Sequence, residues 1–206
     1  MKLVVFGATG KTGQEIVKQA LTQGYEVTAF VRDPARVMLE HGDLKIMTGD
    51  IFDITAVSQA IEGQDAVICS LGTSELGKTT VRSEGTANIM EAMKEKHVHR
   101  LVVISAMGVA ESWSTLSFVN KLFFATLLRG SQQDHEKQEV VVKESELDWT
   151  IMRPSGLTDT PLTGSYSIGE NILGKTSRIA RADVAHAILK ELENNAFVHK
   201  AVTITN

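Results

Sequence analysis

Short apolar runs alternate with longer amphipathic segments along most of the chain. The runs are rich in Val and Ile, which is typical of strands covered on both faces, and the amphipathic segments have the length and periodicity of helices. This alternation predicts an α/β fold of the Rossmann type, a doubly wound parallel sheet with helices on both faces. About seven strands are predicted, at Leu3–Phe6, Glu26–Val31, Leu44–Thr48, Ala66–Ser70, Leu101–Ser105, Trp149–Arg153 and Val202–Thr205.

Helices are predicted between these strands, and one late segment breaks the alternation. Gly156–Arg181 is rich in Thr and Gly and has only a weak strand signal at Tyr166–Ile168, so we interpret it as an excursion on the substrate side. In this architecture ligands bind beyond the carboxyl ends of the strands. The predicted helices are Thr12–Gln23, Pro34–Glu40, Ile54–Ile61, Thr80–Lys96, Val119–Ser145 with a possible break near Gly130, and Ala182–Glu193.

Composition narrows the class of protein. The 206 residues are expected to form one domain, 1–206, and the net charge of -4 argues against a nucleic-acid partner. The single cysteine, Cys69, can form no internal disulfide, which favours a reducing, cytoplasmic location. The apolar run at the start of the chain is too short for a signal peptide or a membrane span.

A glycine-rich loop follows the first predicted strand and opens the first helix. It runs Gly7-Ala8-Thr9-Gly10-Lys11-Thr12-Gly13. Glycines at this place let the backbone turn tightly and approach a pyrophosphate, whose charge the helix N-terminus favours. Gly10-Lys11-Thr12 also resembles the end of a P-loop, but that motif needs a glycine where Val5 stands. The loop therefore predicts a dinucleotide site.

The end of the second strand carries the signal for the cofactor type. Arg32 stands there, with Arg36 one helical turn further on. An arginine at this place can bind the 2′-phosphate of NADP, whereas a carboxylate would bind the ribose of NAD. NADP(H) is therefore predicted over NAD(H), although Asp33 keeps NAD as the weaker option and Arg32 could instead be solvated.

Two further strand ends offer candidate cofactor contacts. Asp50 and Ile51 follow the third strand and suit an adenine contact. Leu71, Gly72 and Thr73 follow the fourth and place a small residue where the backbone must approach the cofactor. Either set could equally be ordinary turn chemistry.

Together these residues give the chain a family resemblance. It resembles the atypical short-chain dehydrogenase/reductases, and among them most closely the NADPH-dependent flavin reductases, also called biliverdin reductase B. The resemblance rests on FGATGKTG, GYEVTAFVRDPAR, GQDAVICSLGT, TTVRSEGTANIMEAMK and ELDWTIMRPSGLTDTPLTGSY, in matching order over residues 6–166. It implies phosphate contacts at Thr9, Gly10, Lys11 and Thr12, 2′-phosphate contacts at Arg32 and Arg36, and nicotinamide-side contacts at Ser105, Pro154 and Ser155.

The chain departs from the wider superfamily at the proton donor. The usual Tyr-x-x-x-Lys pair is absent, since Tyr25 and Tyr166 are the only tyrosines and neither is followed by Lys at that spacing. Counting back from Trp149 places the Tyr and Lys positions at Ser131 and His135. Ser155 stands where the flavin reductases have a histidine, which puts bilin chemistry in doubt.

Ser105 and His135 are the candidate catalytic residues. Ser105 could orient the nicotinamide or the acceptor, or simply bond backbone at a strand end. His135 could relay a proton, or lie on the helix surface. Reduction of an unactivated carbonyl needs a positioned acid, whereas a flavin can take its proton from water. Neither His135 with Glu139 nor His97 with His99 has further convergent ligands, so no metal site is predicted.

We therefore expect an NADPH-dependent oxidoreductase that transfers hydride to a planar acceptor, with free flavin bound as substrate rather than as a tight cofactor. The alternative is a non-catalytic NADP(H)-binding regulator or scaffold. An apolar stretch, Leu116–Leu128, could line the acceptor pocket or form a homodimer contact, and it is too short to span a bilayer.

Overall fold

Strands run through the whole described part of the chain. The computed structural model describes residues 1–73, 79–109, 129–170, 172 and 178–206. The strands there are β1 (Lys2–Phe6), β2 (Glu26–Val31), β3 (Leu44–Thr48), β4 (Ala66–Cys69), β5 (Arg100–Ile104), β6 (Asp148–Pro154), β7 (Gly156–Thr158), β8 (Ser167–Gly169), β9 (Arg178–Ala180) and β10 (Lys200–Thr205).

Eight of these strands form one sheet in the order β3-β2-β1-β4-β5-β6-β10-β8. Neighbouring strands are parallel except for β8, which pairs antiparallel with β10 at the edge. The sheet order reverses between β1 and β4, and in such sheets the crevice at the carboxyl ends beside this switch point holds the ligand. β7 and β9 form a separate parallel pair.

The helices cover both faces of the sheet. They are α1 (Lys11–Thr22), α2 (Ile54–Ile61), α3 (Val81–Glu95), α4 (Arg129–Lys143) and α5 (Arg181–Asn194). One core contains Ile16 of α1 and Ile188 of α5 against the sheet. The other contains Val57 of α2, Ile89 of α3 and Val142 of α4. The predicted doubly wound α/β architecture is confirmed.

The element boundaries agree with the sequence prediction to within about two residues at most positions, but two predictions were wrong or incomplete. Pro34–Glu40 is not a helix, because only Pro34–Arg36 forms a single 3₁₀ turn, capped by Asp33. β7 and β9 were not predicted, since a three-residue strand carries too little periodicity to detect. The predictions for Leu116–Leu128, including the homodimer contact, lie outside the described residues.

The excursion between β6 and α5 is tied to the fold by a buried carboxylate. Asp183, in the first turn of α5, is fully buried and accepts hydrogen bonds from the backbone N–H groups of Thr163 and Gly164 and from the Thr163 hydroxyl. The segment therefore has a fixed attachment beside the carboxyl edge of the sheet. None of the helices in the described ranges is both long and apolar enough to cross a membrane.

Candidate active site

The glycine loop closes tightly over the switch point. Gly7 has a φ of +81°, and a Cβ there would lie 2.2 Å from the Ser70 carbonyl oxygen at the end of β4. A Cβ on Gly13 would lie 2.2 Å from the Gly7 carbonyl oxygen. Any side chain at either position would therefore force the loop away from the strand ends, so the sequence requires glycine at both.

Three of the helices that begin at this edge of the sheet, α1, α2 and α3, differ in what neutralises their N-terminal N–H groups. The Asp53 side chain accepts from Thr55 and Ala56 at the start of α2. Asp134, which projects from α4, accepts from the backbone N–H groups of Arg82 and Ser83 at the start of α3. α1 has no side-chain cap and no acidic residue in its first turn.

The positive end of α1 is therefore left for an external anion. Its first residues are those predicted to bind the pyrophosphate: Thr9, Gly10, Lys11, Thr12 and Gly13. The loop thus fits a dinucleotide on its own geometry, because it combines a close backbone approach with an uncapped helix N-terminus.

The Lys11 side chain is shared with the excursion. Its Nζ lies 2.5 Å from Oδ2 of Asp159, which also pairs with Arg181. The hydrogen bond from Lys11 holds the pKa of the Asp159 carboxyl below its usual range, and Arg181 acts in the same direction. A cleft of about 240 Å³ opens beside this ion-paired group, and its lining includes Gln14 and Thr160.

The end of β2 presents two exposed cations. Arg32 and Arg36 are both exposed and lie on either side of the 3₁₀ turn that Asp33 caps. The Asp33 carboxylate accepts from the Ala35 backbone N–H at 3.1 Å, so one of its oxygens stabilises the turn. This arrangement leaves two guanidinium groups exposed at the end of β2, where the sequence analysis expects a 2′-phosphate.

Two of the predicted cofactor contacts, Ile51 and Leu71, pack against α3 at Gly85. Ile51 is buried, and its carbonyl accepts from the Asn88 side chain at 3.0 Å. A Cβ on Gly85 of α3 would lie 2.8 Å from both Ile51 and Leu71, so this glycine lets α3 approach the two apolar side chains. Asp50 is exposed, and its side chain accepts from the Phe52 backbone N–H. A hydrogen bond within the turn therefore occupies one oxygen of the Asp50 carboxylate.

Ser105 lies at the end of β5 and is bound to Glu139, which forms a buried ion pair with Arg153 that the sequence analysis did not predict. Its hydroxyl donates to Oε1 of Glu139 at 2.7 Å, and the Glu139 carboxylate also pairs with the Arg153 guanidinium through both oxygens. Glu139 is 1% exposed and Arg153 2%. Lys143 adds a third cation 3.3 Å from Oε2 of Glu139. A sequence signal existed, since Glu139 and Lys143 are one helical turn apart and Arg153 is a charge inside an apolar strand.

His135 is placed on α4, one helical turn before Glu139. Its Nδ1 is buried and has no hydrogen-bond partner. Burial, and after it the positive charge of Arg82, lower its pKa from 6.5 to about 4. The imidazole is therefore neutral near pH 7. It can accept a proton on its free ring nitrogen, but it does not start from the cationic, proton-donating form.

The remaining predicted residues fall into two groups. Gly72 is exposed and Thr73 half-buried, at the strand end next to Ser105. Pro154 is buried, and its carbonyl accepts from the Met107 N–H. Ser155 donates its hydroxyl to Thr205 of β10, so its side chain is engaged within the fold.

Comparison with known proteins agrees with this geometry. The sequence profile of a family described as NAD(P)H-binding matches residues 7–195. The chain is 30% identical to YwnB, an uncharacterised protein of Bacillus subtilis (strain 168), over 215 residues that cover 100% of this chain and 99% of YwnB.

Two solved structures show the same fold. ChuY of Escherichia coli O157:H7, an anaerobillin reductase, superposes with a TM-score of 0.83 at 23% identity over 100% of this chain and 97% of ChuY. A short-chain dehydrogenase/reductase of Veillonella parvula DSM 2008, in complex with NADP, superposes with a TM-score of 0.84 at 19% identity over 100% of this chain and 94% of that one.

Proposed function

This chain belongs to the NAD(P)H-binding family, and we propose that it is an NADPH-dependent reductase whose acceptor is a planar molecule, free flavin (FMN or riboflavin). The loop Gly7–Gly13 and the uncapped α1 would hold the pyrophosphate. Arg32 and Arg36 would hold the 2′-phosphate, which favours NADP(H) over NAD(H). When bound, the dinucleotide supplies a hydride to oxidised flavin, and the balancing proton comes from water.

The direction of one hydrogen bond supports a flavin over a carbonyl acceptor. Reduction of a carbonyl develops an alkoxide that needs a proton donor. The Ser105 hydroxyl already donates to Glu139, so its oxygen offers only lone pairs to the cleft. Such an oxygen can accept from the nicotinamide carboxamide and orient it, but it cannot protonate an alkoxide.

The two tyrosines do not replace this donor. The Tyr25 hydroxyl donates to Glu193 on α5 at 2.9 Å. The Tyr166 hydroxyl bonds to Nδ1 of His186, also on α5, at 2.8 Å. Both contacts lie on the α1 and α5 side of the sheet, whereas Ser105 is bound to α4 on the other side. A delocalised ring that takes its proton from solvent suits such a site, because catalysis then depends on proximity and orientation.

The test is NADPH oxidation by the purified full chain with FMN or riboflavin, measured at the NADPH absorbance band against a protein-free blank. We expect flavin-dependent oxidation that is faster with NADPH than with NADH. Absence of turnover above the blank, with NADPH still quenching tryptophan fluorescence, would overturn the reductase proposal. It would support the alternative, an NADP(H)-binding regulator or scaffold.

A further inference from the structure

Arg82, in the first turn of α3, is a buried cation that the mechanism above does not use. The residue is 8% exposed, and its Nη1 lies 3.5 Å from Oδ2 of Asp134. Asp134 also accepts from two backbone N–H groups at the start of α3 and from the Ser83 hydroxyl. One carboxylate therefore serves both a guanidinium and a helix N-terminus, and its hydrogen bonds go to the helix and to Ser83.

Unsatisfied polar atoms concentrate around this arginine. Among the described residues, the buried side-chain atoms without a hydrogen-bond partner include Nε and Nη1 of Arg82 itself. Nδ1 of His135 and Oε1 of Gln138 are close by, and these two side chains interact with each other. Nε and Nη1 are shielded from solvent, so their lack of hydrogen bonds means that Asp134 leaves the guanidinium only partly paired. A guanidinium in this state retains the capacity to bind an anion through Nη2.

The guanidinium lies just behind Gly72, at the carboxyl edge of the sheet beside the switch point. A Cβ on Gly72 would lie 3.8 Å from Nη2 of Arg82, and Gly72 is exposed at the end of β4. The absence of a side chain at Gly72 leaves that approach open. Nη2 is therefore the part of the arginine that a ligand in the cleft can meet.

The position relative to Ser105 shows which half of the cleft this is. Gln138 donates to Thr86, beside Cys69 at the end of β4, and the next residue, Glu139, accepts from Ser105 at the end of β5. Arg82 is bound to Asp134 and Ser105 to Glu139, so both are attached to neighbouring turns of α4. The 2′-phosphate candidates are at the end of β2, which is separated from β4 by β1 and so by about 10 Å. The pyrophosphate candidate is the start of α1.

From this placement we infer that Arg82 binds an oxyanion of the acceptor, a phosphate or a carboxylate, in the nicotinamide half of the cleft. The inference deepens the proposed function, on which it rests for the acceptor's place. It names the substrate class: planar molecules that carry an anionic tail, FMN rather than riboflavin, or a linear tetrapyrrole with free propionates rather than its ester. A guanidinium is suited to both anions, because its planar fork matches their paired oxygens.

The experiment measures binding rather than turnover, with the full chain saturated with NADP⁺. Two matched ligand pairs separate phosphate from carboxylate: FMN with riboflavin, and biliverdin with its dimethyl ester. Dissociation constants come from ligand fluorescence or absorbance titrations. We expect the anionic member of at least one pair to bind about tenfold more tightly, as one charge-assisted hydrogen bond provides.

Arg82→Met is then expected to weaken the anionic ligand about tenfold and to leave its uncharged partner unchanged. Arg82→Met leaves the Asp134 carboxylate buried beside an apolar side chain. The double variant Arg82→Met/Asp134→Asn removes both charges, so the same loss of affinity can be measured in a protein without that buried charge. Arg100→Met is the matched control, since Arg100 is also mostly buried and paired with a carboxylate, Glu191, but lies at the opposite edge of the sheet.

Equal affinities within both pairs, or discrimination that survives in both Arg82 variants, would overturn the inference and assign the unpaired atoms to ordered water. If neither flavin binds but biliverdin binds more tightly than its dimethyl ester, flavin is overturned as the acceptor and the role of Arg82 is supported. Absence of binding by all four ligands would overturn both.

Discussion

The Ser105 hydroxyl and the Glu139 carboxylate are joined by a buried 2.7 Å hydrogen bond although they lie 34 positions apart in the chain. Arg153 and Lys143 hold the carboxylate in place from the other side. The serine oxygen at the end of β5 therefore has a fixed position and a fixed hydrogen-bonding direction before any ligand arrives. Preorganisation of this kind is what orientation of a nicotinamide requires.

Replacing Ser105 by alanine should slow hydride transfer to FMN about tenfold and leave the NADPH dissociation constant within about twofold, since one orienting hydrogen bond contributes about 1.4 kcal/mol. Single-turnover kinetics and a fluorescence titration measure the two quantities. Ser58→Ala is the control, because Ser58 is also buried but bonds Glu95 on the far side of α3. An unchanged rate in Ser105→Ala would remove Ser105 from the reaction.

Breaking the pair between Glu139 and Arg153 should destabilise the fold strongly. Glu139→Met leaves a buried guanidinium without its carboxylate, which costs about 3–5 kcal/mol of unfolding free energy. Glu139→Met/Arg153→Leu removes both charges and should recover much of that loss. Urea unfolding of the two proteins measures the difference, and a double variant no more stable than the single one would contradict this account.

Replacing Arg32 by alanine should weaken NADPH about tenfold and NADH much less, because Arg32 would contact only the 2′-phosphate. The effect should shrink at high salt, since the side chain is exposed. Fluorescence titrations with both cofactors test this, with Lys18→Ala on the exposed face of α1 as the control. Equal weakening of both cofactors would place Arg32 outside the phosphate site.

The pH dependence of stability should contain a contribution from His135. Its pKa falls from 6.5 to about 4 on folding, so between these values the unfolded chain binds the proton and the folded chain does not. Stability is therefore lost as pH falls from about 6.5 to about 4, by about 3 kcal/mol.

The measurement is chemical denaturation of wild type and His135→Gln at several pH values. The variant should lose about 3 kcal/mol less than wild type over that range. His99→Gln, at an exposed histidine, should keep the wild-type pH dependence. Parallel curves for wild type and His135→Gln would show that folding does not lower the pKa of His135.

The fold was predictable because its signals are local. Apolar runs and the glycine loop identify most strands and the switch point, and Glu26–Val31 and Ile54–Ile61 were predicted to the residue. Pro34–Glu40 failed because the pattern of a proline after Asp33 is shared by a helix start and a single 3₁₀ turn. Nothing in the local sequence distinguishes the two.

The polar contacts behind the site were not predictable to the same extent. Asp134 caps α3 from α4, and Glu139 reaches Ser105 from a different element. Such pairs depend on how two helices are placed over the sheet. Sequence spacing reports neighbours within one helix, so it paired His135 with Glu139 but did not show that Glu139 binds Ser105 or that Asp134 caps α3.

The carboxylate caps on α2 and α3 also set a direction for the ligand. Both helices bring their own anion to the sheet edge, so of the N-termini of α1, α2 and α3 only that of α1, which follows the central strand β1, remains open to a diphosphate. A long ligand with phosphates in its middle can be anchored there at one point. Arg32 lies on one side of this anchor and Ser105 on the other, so the two halves of such a ligand contact a cation and a hydrogen-bond acceptor respectively. A molecule bound in the reverse direction would make neither contact.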